Sequence, residues 1–489
     1  MTYPANFRTA AQFGILALLA LAVRLPHLSA RPMHTDESVN AYITGELLAG
    51  EPFRYDARDR HGPALSAFAW LIARAFGTLN FQGLTEDELR MGPVLAGTAT
   101  VLLFFAGCRL LGSGVSLVAA GSFAFTALPV YYSRYFIHET LFVAATLALI
   151  LSVLKTVKSN SFGAAGFAGL SAGLMLACKE TAVLHLLALA ISGSVIFSKD
   201  LDRRFAKSAI FATAIFLVFA LISYSWFGRD WNGLNALLHG ASGLLRRAAG
   251  EGHEKPFWYY FLLLGGGWSG AILLLLGAIG IVRTFQASDN PWRQTRAFIA
   301  VYAVLITAIY CAIPYKTPWL ALNIWLPLSI MGGVGVEWLW TRCVSYPRRL
   351  AFCVGASILV VSVAHDTWLR VFVRPADETN PFAYSQTVTD LLRLEPRISQ
   401  LTRERKLTSP RIAVVAADPW PLPWYLRKYP NVGFWQPDQA TGPADFYITS
   451  QDGMTNPGAQ LQHCRQEFFG IRPDTLVVLW IPEPAVPQP

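Results

Sequence analysis

Charge is scarce in this sequence: of 489 residues, only 15% are Asp, Glu, Lys or Arg. That is too little to solvate the surface of a soluble protein of this size. Cysteine is scarce too. The six cysteines, at 108, 178, 311, 343, 353 and 464, form no Cys-x-x-Cys pair, and five lie in or beside apolar runs. This spacing supports neither a zinc site nor a disulfide in the polar tail, where Cys464 stands alone. The chain also lacks a Walker A sequence and a His-Glu-x-x-His helix, which excludes a P-loop NTPase and a zincin. Glycines 265 to 267 sit inside an apolar run, where packing explains them better than a nucleotide does, so a soluble nucleotide is not the expected substrate. Missing as well is any basic stretch interleaved with aromatics, so the net charge of +9 does not speak for nucleic acid.

What is present is apolar. Hydrophobic residues make up 53% of the chain, with 15 Trp and 31 Phe, and mean hydropathy is positive. This composition defines an integral membrane protein. Eleven or twelve apolar segments are expected, near 10–28, 63–80, 91–108, 114–132, 139–154, 161–177, 181–198, 208–227, 258–282, 297–314, 319–340 and 350–365. The first lacks a small-residue cleavage site and reads as a retained helix. Basic residues cluster in alternate short loops: Lys155 and Lys158; Lys199, Arg203, Arg204 and Lys207; Arg283, Arg293 and Arg296; Arg342, Arg348 and Arg349. The excess charge therefore reports topology, with these loops cytoplasmic and the intervening ones outside.

This assignment creates a parity problem. Three apolar runs separate the polar loop at 29–62 from Arg134, and three crossings would put the two on opposite faces. One run must fail to cross, and 63–80 is the candidate, since it contains Arg74 and precedes the acidic stretch Thr85 to Arg90. Residues 36–49 read as an amphipathic helix on the membrane. Val39, Tyr42, Ile43 and Leu47 share one face, and Glu37, Asn40 and Thr44 turn to a cavity. From about 375 prolines and charges increase. Strands are expected at 412–416, 432–435, 446–449 and 476–481, with helices at 424–429 and 458–469. The fold class is thus a polytopic α-helical membrane domain, 1–374, followed by a small α/β extracytoplasmic domain, 375–489.

The chemistry-bearing residues gather at outer loop positions. Asp36 and Glu37 adjoin His34, and two carboxylates at a membrane surface are hard to desolvate without a function, although Asp36 also suits a helix N-cap. A carboxylate there can deprotonate an acceptor hydroxyl or bind a divalent cation. The stretch Tyr131 to Glu139 places Arg134 and His138 four apart, on one face if helical, with Glu139 beside them. Lys179 with Glu180, and Lys316 within Tyr315-Lys-Thr-Pro-Trp319, add cations that suit an anionic lipid head group, although such lysines often only snorkel. Asp59, Arg60 and His61 precede Pro63. The outer loop at 228–257 holds Asp230, His239, Arg246, Arg247, His253, Glu254 and Lys255 and is long for a simple connection.

In order and content these motifs resemble the type C glycosyltransferase superfamily, including protein O-mannosyltransferases and the aminoarabinose transferases of lipid A. They are most similar to a poorly characterised bacterial and archaeal branch of it. The segments that carry the resemblance are His34 to Ser38, Asp59 to Pro63, Tyr132 to Glu139, Lys179 to Thr181 and Tyr315 to Trp319. It covers the first 200 residues well, the rest of the membrane part loosely and the C-terminal domain scarcely. The resemblance implies a polyprenyl-phosphate-linked sugar donor, hexosyl or pentosyl, and inverting transfer to a protein, glycan or lipid acceptor. The reaction would take place on the outer face of a bacterial or archaeal inner membrane. Asp36 matches the catalytic carboxylate, Glu37 its companion and Arg134 the motif arginine. Glu139 matches a second acidic position that is more often Asp in relatives.

On this reading Asp36 and Glu37 are catalytic, and Arg134, Lys179 and Lys316 bind the donor phosphate. His34, Arg60, His61, His138, Glu139 and Glu180 support substrate or metal, with a Mg or Mn site at Asp36 and Glu139 as one option. The alternative is a lipid-linked glycan transporter or flippase component, which would be expected to show internal repeats with broken helices at matching positions; none is evident. A structural subunit for envelope polymers would account for the outer domain but not for the carboxylate pair.

Overall fold

The computed structural model describes residues 7–57, 60–199, 202–240, 252–287, 289–439, 441–450 and 461–483. Asp59, Arg246 and Arg247 lie outside these. Among the described residues eight helical stretches are long and apolar enough to cross a bilayer. They contain α1 (Phe7–Arg24), α4 (Glu86–Leu111), α7 (Glu139–Ser159), α10 (Arg203–Tyr224), α13 (Gly267–Gln286), α14 (Arg293–Ala312), α15 (Ala321–Arg342) and α16 (Tyr346–Trp368). Four shorter apolar helices lie between them among the described residues: α3 (Ala64–Ala75), α5 (Ser113–Phe125), α8 (Phe162–Cys178) and α9 (Ala182–Phe197).

Contacts fix which helix ends share a face. An ion pair from Lys179 to Glu139 joins the end of α8 to the start of α7, so α7 and α8 run out and back. The Tyr224 hydroxyl, donating to Leu176 O at 2.8 Å, brings the end of α10 to the same face. The basic loops then fall at the opposite ends of the helices, as their spacing predicts.

The parity problem is settled by α3 (Ala64–Ala75). Its 12 residues span about 18 Å, well short of a hydrocarbon core of roughly 30 Å. Both its ends also touch one face. His61 bonds Glu180 just before α3, and after it Glu86 and the Leu84 carbonyl accept hydrogen bonds from Trp424 and Arg427 of the C-terminal domain. The run at 258–282 is not one helix: α12 (Tyr259–Leu264) ends at Gly265, and Gly267, at φ 80°, starts α13. Here the glycines break the run rather than pack within it, because a positive φ favours glycine. Gly169-Leu-Ser-Ala-Gly173, which has the spacing of a hydrolase nucleophile elbow, is simply part of α8. A Cβ at Gly169 would stand 2.2 Å from Ala212 O of α10, so these glycines serve close helix packing.

The helix expected at 36–49 is α2 (Thr35–Leu48), but it is not an amphipathic surface helix. Glu37, Asn40 and Thr44, the expected cavity face, are buried against the 133–138 turn, whereas Tyr42 is exposed and packs edge-on against Phe81 and Trp420. Within segment 228–257, Asp230 caps α11 (Trp231–His239).

The C-terminal region forms a five-stranded sheet in the order β2-β1-β3-β5-β4. Its strands are β1 (Ile412–Val415), β2 (Val432–Trp435), β3 (Phe446–Ser450), β4 (Cys464–Arg472) and β5 (Thr475–Pro482). β1 is parallel to β2 and β3, while β5 is antiparallel to β3 and β4. One sheet face packs Val414, Ile448 and Leu479 on Leu394, Ile398 and Leu401 of α17 (Leu394–Glu404). The four expected strands are present. Of the helix expected at 458–469, residues 458–460 lie outside the described residues and 464–469 belong instead to β4, which pairs with β5. Of the helix expected at 424–429 only a short turn exists, α18 (Leu422–Tyr425).

Candidate active site

The segment between α1 and α2 is held by arginines. The Arg90 guanidinium of α4 donates to both Glu37 oxygens at 2.8 Å and to the Arg31 carbonyl at 2.9 Å. Glu37 also accepts the Phe136 N–H at 2.9 Å and the His34 N–H at 3.1 Å, and Arg31 stands 3.6 Å away. Burial alone would raise this carboxyl. The guanidiniums of Arg90 and Arg31 and the hydrogen bonds from Arg90 and Phe136 outweigh it and hold Glu37 at about 2. Every Glu37 lone pair thus has a protein partner and no solvent reaches it.

Asp36 is its opposite in environment. Its backbone N–H donates to His34 Nδ1 at 3.0 Å, completing the start of α2, while its carboxylate is 48% exposed. Sequence-adjacent residues on a helix point about 100° apart. Burying Glu37 against Arg90 therefore turns Asp36 outward. His34 lies beside Tyr135 and Trp319, with ring centroids at 5.5 and 6.0 Å, and its Nε2 is 3.1 Å from Tyr384 O. Burial keeps His34 below its ordinary value despite Asp36 and Glu37. Trp319 packs edge-on against Tyr384, whose hydroxyl meets His253 Nδ1 at 2.7 Å, and His253 packs on Tyr315. Lys255 approaches the Tyr384 ring at 5.7 Å, and Lys316 donates to Lys255 O at 3.1 Å and to Ile313 O.

A second cluster comes from the loops around α7 and α8. His61 and His138 rings are 5.2 Å apart. Glu180 accepts from the Tyr55 hydroxyl at 2.7 Å and meets His61 Nδ1 at 3.1 Å, and these partners overcome burial to hold it at about 2. Burial, with the charges of His61 and Lys179, pushes His138 well below its usual value. Lys179 is raised, its burial outweighed by Glu139. The sequence-predicted residues His34, Asp36, His61, His138, Glu139, Lys179, Glu180 and Lys316 thus line one face of the bundle, on the side of the C-terminal domain. Arg60 bonds Glu46 of α2 at 3.0 Å and supports that helix.

Arg134 departs from expectation. α6 (Ala127–Tyr132) ends before it, so Arg134 and His138 share no helical face. Its guanidinium donates to the carbonyls of Arg24 at 2.5 Å, Pro26 at 2.7 Å and His27 at 3.1 Å, at and just past the end of α1. Burial and the like charges of Arg31 and Arg90 bring it down to about 9. Nor do Asp36 and Glu139 meet a third ligand: among the described residues no three His, Cys, Asp or Glu side chains converge, and Glu139 is occupied by Lys179. Among the described residues, Asp36 and Glu139 by themselves do not make up a protein-built metal site.

Sequence reasoning missed Arg31, Arg90, Tyr135, Tyr384 and Arg472. Arg472, from β4, donates to Thr35 Oγ1 at 3.1 Å, Asp418 at 2.8 Å and Trp420 O at 2.9 Å. Tyr135 lies inside the Tyr132 to Glu139 motif and Arg31 beside the Asp36–Glu37 pair, while Arg90, an arginine in the first turns of an apolar helix, carries a signal of its own.

Comparison with known proteins agrees with this architecture. Residues 60–226 match the family of dolichyl-phosphate-mannose-protein mannosyltransferases. Among solved structures the fold matches ArnT from Cupriavidus metallidurans bound to undecaprenyl phosphate, with a TM-score of 0.68 at 17% identity over 97% of this chain and 99% of that one. It also matches the archaeal oligosaccharyltransferase AglB from Archaeoglobus fulgidus, in complex with an inhibitory peptide and a dolichol-phosphate. There the TM-score is 0.60 at 11% identity, over 95% and 74% of the two chains. The arabinofuranosyltransferase AftD from Mycobacteria matches at 0.52 and 14% identity, over 99% of this chain and 40% of that one. No curated protein matches the sequence. The fold is the one these solved membrane glycosyltransferases share, and the family match falls within its first half.

Proposed function

We propose that the protein is a membrane glycosyltransferase that moves a sugar, with inversion, from a polyprenyl-phosphate carrier to an acceptor hydroxyl. The site lies on the face that carries the C-terminal domain, which the basic loops assign to the outside of the cytoplasmic membrane. One observation carries the reading: of the adjacent carboxylates, Glu37 is sealed by Arg90 and Asp36 is exposed. Asp36 takes the proton of the acceptor hydroxyl as its oxygen forms the new bond to the anomeric carbon. The carbon–oxygen bond to phosphate breaks, and the electron pair leaves with the lipid phosphate. Lys316, which keeps a third N–H beyond its two carbonyl partners, and Lys255 compensate that charge, which favours departure in a water-poor site. Lys179 is already balanced by Glu139, and with it orients the cluster bearing His61 and His138.

The test is transfer from radiolabelled polyprenyl-phosphate sugars by purified protein. Asp36→Asn should abolish transfer while leaving membrane insertion and thermal stability unchanged. A fully active variant would refute the assignment.

A further inference from the structure

Away from Asp36, a cavity of about 110 Å³ opens where α1 and α16 emerge from the bundle. Its lining includes His27, Arg31, Arg134 and Phe372 and contains no acidic residue. Tyr135, over whose ring the Arg31 guanidinium lies at 4.3 Å, stands between this cavity and His34.

The electrostatics are unbalanced. Arg24, Arg31, Arg90 and Arg134 are joined through shared carbonyls and are all buried. Glu37 is the one carboxylate any of them bonds or pairs with among the described residues. A buried guanidinium without a counter-charge is strongly disfavoured unless an anion reaches it. Arg31 is only 6% exposed, and its Nε has no hydrogen-bond partner among the described residues. Leu25 and Val373, close in sequence to the lining residues His27 and Phe372, are exposed apolar side chains, as expected near a bilayer interface.

From this geometry we infer that the cavity is a second anion site, which takes the phosphate of a membrane lipid head group between Arg31, Arg134 and His27. Guanidinium donors match phosphate oxygens in shape and charge, and Phe372 and Leu28 lie along the path of the chains. The site does not depend on the transfer reaction, because Asp36 does not line it.

Binding is measured by native mass spectrometry and thermal shift on the full-length protein. The probes are phosphatidylglycerol, a polyprenyl phosphate, inorganic phosphate and, as the control without net charge, phosphatidylcholine. Ala30→Trp, at an exposed lining position, fills the cavity without touching either arginine, and His27→Glu adds a repelling charge. Each should weaken binding about tenfold or more, as loss of a charge-assisted hydrogen bond implies. Loss with phosphatidylglycerol assigns a phospholipid, loss with polyprenyl phosphate alone assigns the carrier lipid, and loss with inorganic phosphate alone assigns a free anion and overturns the lipid reading. Phosphate probes that bind no better than phosphatidylcholine, or that bind both variants normally, overturn the site.

Discussion

Glu37 and Arg90, 53 residues apart in sequence, form a bidentate ion pair from which solvent is excluded. The pair clamps the start of α2 to α4, and its geometry decides which of two adjacent carboxylates is available for chemistry. Removing one partner leaves the other buried and unpaired, which typically costs about 3–5 kcal/mol. Glu37→Gln should therefore lower the thermal midpoint sharply, and the paired change Glu37→Leu with Arg90→Leu should lower it less. If Glu37→Gln kept the wild-type midpoint, the clamp would be refuted.

Stability should fall in acid for a defined reason. Glu37 and Glu180 are both held at about 2 in the folded protein, against an ordinary value of 4.5. A depressed carboxyl contributes stability fully above its unfolded value, and that contribution is lost as pH falls toward the folded one. The thermal midpoint in detergent should thus decline between about pH 5 and pH 2. Glu180→Gln should flatten the decline; an unaltered slope would count against a buried, paired Glu180.

Gly62 is a packing requirement of the site. A Cβ there would stand 2.3 Å from Ala177 O and 2.6 Å from its carbonyl carbon, so backbone must move. Gly62→Ala should cost about 1–3 kcal/mol by overpacking and, by displacing His61 from Glu180, reduce transfer. The control Gly121→Ala, with nothing within 4 Å of the new Cβ, should be neutral or mildly stabilising.

The C-terminal domain should matter to catalysis through the backbone of Met33. The Met33 N–H donates to the Tyr425 hydroxyl at 2.9 Å, and its carbonyl accepts from Thr387 Oγ1 at 2.7 Å. Tyr425→Phe combined with Thr387→Val should lower the transfer rate and speed hydrogen exchange at residues 31–36. Unchanged exchange there would show that the domain does not hold the loop.

Much of the membrane part was legible because lipid imposes a length and an apolarity on every crossing, which a window of sequence displays. The failed crossing of α3 was legible for the same reason, through Arg74 and loop charge. The motifs at 34–37, 61, 138–139, 179–180 and 316 do converge, since each sits at a helix end on one face. Local signals failed where they carried two readings. The apolar content of β4 fits helix or strand until β5 pairs with it, and glycines 265 to 267 fit packing or a break until φ is known.

A multi-pass helical membrane protein, the helix ends at which its ionisable residues gather and the carboxylate pair at Asp36 and Glu37 can all be read along the chain, because each rests on local composition and spacing. Only tertiary structure divided that pair, because Arg90 and the Phe136 N–H come from segments distant in the chain. It also committed Arg134 to structure, since its guanidinium is taken up by the carbonyls of Arg24, Pro26 and His27 at and just past the end of α1.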